Sequence, residues 1–126
     1  TVLDVSLDKN REGLEAALSA GAEVFYCDHH FAGEIPAQAG LMSLINTEPD
    51  VCTSILINGY LKGAFLEWAV VGAYGDNLFA SADTLAAPLG LPQVQLDALL
   101  PAKPRGHLPS FLFARQMISA GRLNPD

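Results

Sequence analysis

The stretch "VLDVSLDKNREGLEAALSAGAEVFYCDHH", residues 2–30, decides the fold class. Its first residues alternate apolar side chains with Asp4 and Ser6, and "TVLDVSL" as a whole is predicted to be a strand whose polar residues reach an edge or a site. Asp8 or Asn10 can cap the helix that follows, and Leu14, Ala17 and Leu18 then share one face at helical spacing. Gly21 stands where a left-handed C-terminal cap belongs. "EVFYC" is a second strand, rich in β-branched and aromatic residues. Strand, short helix and strand in fewer than thirty residues form a βαβ unit, which requires parallel pairing and a right-handed crossover.

Outward from this unit the same grammar continues. "FAGEIPAQAG" is a loop by its Gly and Pro, "LMSLINT" a third strand, and "VCTSILINGYLKG" a helix closed by Gly63. "AFLEWAVVGAYGDNLFASADTLAAPLG" contains an almost wholly apolar helix through Trp68 and Tyr74, which assigns both to a core. A break at Gly75-Asp76-Asn77 and a second helix up to Pro88 follow. "PAKPRGHLP" is expected to be a linker and "SFLFARQMISAGR" a terminal helix. The predicted architecture is α/β, a parallel sheet with flanking helices over residues 1–100, then a basic, Pro-containing tail over 101–126.

Composition narrows the function classes. With 126 residues, half of them hydrophobic, the chain has enough apolar surface for one core. No apolar run approaches the ~18–20 residues of a membrane span. No signal-peptide pattern opens it, and a start at Thr1 inside a strand reads as part of something longer. Cys27 and Cys52 are too few for a disulfide scaffold and suit a cytoplasmic setting. A formal charge of −7 argues against general DNA binding, which needs clustered Lys and Arg. Three basic residues face thirteen acidic ones over residues 1–100, and four face one over 101–126. A metal-binding carboxylate cluster and an ordinary solvated surface both produce an acidic body.

In parallel sheets, ligands bind beyond the carboxyl ends of the strands. Asp4 lies at or near that edge on the first strand and Asp28-His29-His30 lies there on the second, so two capable groups converge from neighbouring strands. Imidazole and carboxylate are good ligands for Mn²⁺, Zn²⁺ or Fe²⁺, and two such ions can polarise a phosphoryl group. Asp76, at the end of an apolar helix, is the third candidate, because a carboxylate there must be capped, paired or metal-bound. Each has a plainer reading. Asp4 and Asp76 also suit turns or helix caps, the two histidines a surface loop, Cys27 a buried strand position and His107 a surface site in the tail. Nucleophile-elbow, P-loop and dinucleotide fingerprints are absent from the sequence.

Three segments in order resemble the DHH phosphoesterase superfamily, which includes RecJ-like exonucleases, oligonucleotide phosphodiesterases and family II pyrophosphatases. "YCDHHFAGEIP" matches the motif that names it, "VLDVSLDKNR" looks like the preceding strand motif with its metal-bridging aspartate, and "GAYGDNL" looks like the later aspartate motif. The resemblance covers roughly residues 1–85. It implies that Asp4 bridges two Mn²⁺ ions (Mg²⁺ or Co²⁺ being the alternatives), that His29 and Asp76 are metal ligands, and that His30 contacts the substrate phosphate. Asp28 then orients a histidine from behind. The implied reaction is hydrolysis of a phosphodiester or phosphoanhydride bond by metal-activated water, on a small phosphate ester or short oligonucleotide. The family's first motif and its C-terminal domain have no counterpart here. The chain then reads either as part of a longer enzyme, inactive or weakly active alone, or as a non-catalytic DHH-like domain for binding or assembly; exposed apolar surface where the missing strand should pair would point to truncation or to a homodimer that fills the gap.

Overall fold

The computed structural model describes residues 1–90. The predicted linker, the terminal helix and His107 lie outside the described residues. Three strands, β1 (Val2–Leu3), β2 (Val24–Asp28) and β3 (Leu41–Ile45), form a parallel sheet in the order β1-β2-β3. Four helices accompany them: α1 (Arg11–Ser19), α2 (Thr53–Tyr60), α3 (Leu66–Gly75) and α4 (Phe79–Ala86). The α/β class, the parallel pairing and the flanking helices are as the sequence predicts. Among the described residues no helix is long and apolar enough to cross a membrane.

The central strand is covered on both faces, as parallel strands usually are. Val24 and Tyr26 pack with Leu14 and Leu18 of α1, and with Leu7, in one buried cluster. On α2, Tyr60 stacks on Phe25 with ring centroids 4.8 Å apart. A second buried cluster joins Cys52 to Val70, Val71, Ala73 and Tyr74 of α3 and to Ala82 and Ala86 of α4. The turns also follow the sequence reading: Gly21 ends α1 at φ +83° and Gly63 follows α2 at φ +80°.

Two expectations need correction. The first strand pairs only over Val2–Leu3, because Asp4 turns the chain at φ +61°, so "TVLDVSL" is not one strand. Trp68 is 37% exposed and not a core residue, although its neighbours Ala69 and Val70 are buried. Apart from Glu67 the helix is apolar, yet one side of its first turn is left in water.

Candidate metal and phosphate site

Parallel pairing brings the ends of β1 and β2 level. Leu3 is opposite Cys27, and the Asp4 amide donates to the Cys27 carbonyl at 3.0 Å, so Asp4 leaves the sheet beside Asp28-His29-His30. Its left-handed backbone is a conformation aspartate tolerates better than most residues. The Thr53 hydroxyl, buried at the start of α2, donates to Asp4 Oδ1 at 2.8 Å and holds the carboxylate there.

His29 Nδ1 lies 3.1 Å from the Val51 carbonyl, in the loop that leads into α2. A carbonyl only accepts, so Nδ1 carries the proton and, in the neutral ring, Nε2 keeps its lone pair. That lone pair faces Asp4 Oδ1 at 3.5 Å. Two acceptors pointed at one another repel unless a proton or a cation lies between them. His30 Nδ1 is 2.8 Å from Asp28 Oδ1, and its ring lies 4.4 Å, centroid to centroid, from that of His29. Asp28 therefore orients His30 and not His29. Asp28 itself is fully buried, and its Oδ2 has no hydrogen-bond partner among the described residues. One nitrogen from each histidine and one Asp4 oxygen all lie within 4.8 Å of one another.

Asp76 stands apart from this group. It is the C-terminal cap of α3, its amide donating to the Gly72 carbonyl at 3.0 Å, and not the N-cap of α4. It does share a cleft with Asp4, an open space of about 420 Å³ bounded also by Thr53, Ile57, Gly72 and Gly75. Asp4 thus belongs to both the histidine group and the cleft.

The carboxylates of the site also act on the neighbouring thiols. Burial pushes the Cys27 thiol up to about 11, and the Asp28 and Asp4 charges add to the effect. Cys52 is also raised, by burial first and with Asp76 contributing, against hydrogen bonds with Ser54 and the Ile55 backbone that act the other way. Both cysteines are buried and free, so neither has the exposed, electropositive setting of a reactive thiol. The chain has no match among models of known protein families, curated proteins or solved structures.

Sequence reasoning brought together Asp4, Asp28, His29 and His30 and left two supports unnamed. Thr53 could have been found as a hydroxyl residue opening a helix. The Val51 carbonyl, a backbone group, leaves no trace in side-chain identity.

Proposed function

We propose that this chain is the α/β part of a metal-dependent phosphoesterase of the DHH type. It would act on a phosphodiester or phosphoanhydride bond in a small phosphate ester or short oligonucleotide. One observation carries the reading: His29 Nε2 and Asp4 Oδ1 face each other at 3.5 Å, with the other histidine nitrogen already committed to Val51. A carboxylate and an imidazole with a fixed tautomer are the ligand types of Mn²⁺, Co²⁺ and Zn²⁺ sites. The donors present fit such an ion, and a bound divalent cation would polarise a phosphoryl group and acidify water. His30, half exposed and braced by Asp28, would hydrogen-bond a phosphate oxygen, while Asp76 would act from the cleft that it shares with Asp4. Two free, buried thiols accord with a reducing, cytoplasmic setting.

The separation of Asp76 from the histidine group favours a second reading, a DHH-like domain used for binding or for assembly as a homodimer, with a partial metal site. Hydrolysis of bis(p-nitrophenyl) phosphate, with and without Mn²⁺, separates the two. The enzyme reading expects at most weak turnover by this chain, dependent on Mn²⁺ and abolished by His29→Ala and Asp4→Asn. Turnover that is metal-independent, or that His29→Ala and Asp4→Asn leave unchanged, would move the conclusion to the second reading.

A further inference from the structure

We infer that Phe31 is a stacking platform for the base of a nucleotide, so that the substrate is a nucleoside phosphate ester or the end of a short oligonucleotide and not bare pyrophosphate. The assignment rests on the phosphoesterase reading and narrows it, because it concerns the part of the substrate that does not react.

Phe31 follows His30 directly, and at 73% exposure it is the most exposed of the large apolar side chains among the described residues. A loose loop would account for this, but the loop is tied at three successive residues. The Ser6 hydroxyl donates to the Phe31 carbonyl at 3.2 Å. Arg11 Nη2 donates to the Ala32 carbonyl at 3.1 Å, and Ala32 is buried in the cluster that holds Leu7, Leu14 and Tyr26. Gly33, at φ +62°, completes the tie. A Cβ there would lie 2.9 Å from Asp8 Oδ1 and 3.1 Å from Arg11 Nη2, so residues 8–11 close on the loop with no space for a side chain. With Ala32 turned inward and both carbonyls held, the backbone itself keeps the Phe31 ring in water.

The same ties set where the ring stands. Ser6 lies two residues beyond Asp4, and the Tyr26 hydroxyl donates to the intervening Val5 carbonyl at 2.8 Å. Phe31 is thereby anchored between the Asp4 turn and His30, on the rim of the candidate site. A nucleotide whose phosphate reaches His30 carries its base a sugar's length away, within reach of a ring one residue along the chain.

Stacking suits this setting. Every base has a π-face, so one aromatic ring accepts any of them without hydrogen-bond readout. A protein-docking patch needs a contiguous apolar area, whereas the chain neighbours of Phe31 are His30, the buried Ala32, Gly33 and Glu34. Three basic residues against thirteen acidic ones over residues 1–100 supply no groove for a long phosphate backbone, which restricts the contact to one base or a few.

Calorimetric titration of the full chain at millimolar Mn²⁺ isolates the contact when AMP is compared with ribose 5-phosphate, which has the phosphate and the sugar but no base. AMP is expected to bind about 5–150-fold more tightly, the range for one stacked base. Phe31→Ala should remove that advantage and leave ribose 5-phosphate affinity within about twofold. Phe31→Leu, which keeps apolar bulk without a flat ring, should lose most of it, and Phe31→Tyr should retain it. Circular dichroism checks that the variants fold. Equal affinity of the parent for the two ligands, or an AMP advantage that persists in Phe31→Ala and Phe31→Leu, would overturn the inference and leave the phosphoesterase reading in place. A folded parent chain that binds neither ligand would overturn both.

Discussion

Replacing Gly72 by alanine tests how the cleft is built. In an exposed helix this change would stabilise, since alanine outranks glycine by up to ~1 kcal/mol. In α3 it meets α2: a Cβ at residue 72 would sit 2.5 Å from Ser54 Cβ, where ordinary contact begins near 3.4 Å. Rotating the Ser54 side chain cannot relieve this, because its Cβ is fixed by the backbone. The two helices must separate by about 1 Å, and overpacking of this kind costs about 1–3 kcal/mol. The clash outweighs the propensity gain, so Gly72→Ala should lose about 1–2 kcal/mol. With urea m-values of ~1–3 kcal/mol/M, the midpoint falls by roughly 1 M. Because Thr53 precedes Ser54, the same shift pulls its hydroxyl away from Asp4 and should weaken cation binding as well. Ser54→Gly in the Gly72→Ala background removes the obstructing Cβ, so the two changes should couple favourably by about 1–2 kcal/mol in a double-mutant cycle. A Gly72→Ala variant as stable as its parent, or strict additivity in the cycle, would refute the reasoning.

Other expectations follow from the site. Thr53→Val keeps the shape but removes the hydroxyl on Asp4, so it should cost about 0.5–1.5 kcal/mol in urea unfolding and weaken Co²⁺ binding measurably. The Cys27 thiol ionises near 9 when unfolded and near 11 when folded, so the unfolded chain releases its proton first as pH rises. Its stabilising contribution is whole below pH 9 and is lost as pH rises toward 11, a slope that Cys27→Ala should lack in unfolding curves. A thiol reagent at pH 8 should modify neither cysteine of the native chain, and rapid modification would contradict their burial.

Much of this was legible because local signals agree with the tertiary arrangement. Period-two patterning, the loop at Gly33 and Pro36, and glycines at 21 and 63 mark β2, β3, α1 and α2, and all of these are set by nearest neighbours. The convergence of Asp4 with Asp28-His29-His30 needed only parallel pairing. What escaped depends on contacts distant in sequence. β1 stops at Leu3 because Asp4 is turned toward Thr53, forty-nine positions away, and nothing near Asp4 announces that bond. Trp68 looked like core because α3 is apolar at nearly every position, and Glu67 alone does not show that the Trp68 side lacks a neighbour. The choice of His30 as the partner of Asp28 was readable in principle, since residues two apart on an extended chain point the same way. That Asp76 reaches the cleft but not the histidine group depends on where α3 ends relative to β1, which no motif encodes.

The central claim is that Asp4 and His29 hold a divalent cation, and Mn²⁺ titration followed in the histidine ring signals of the NMR spectrum tests it most directly. With the His29 and His30 resonances assigned from single His→Gln variants, substoichiometric Mn²⁺ should broaden both, and Asp4→Asn should restore them. Ring signals that stay sharp at one equivalent of Mn²⁺, or that broaden equally in Asp4→Asn, would contradict the account.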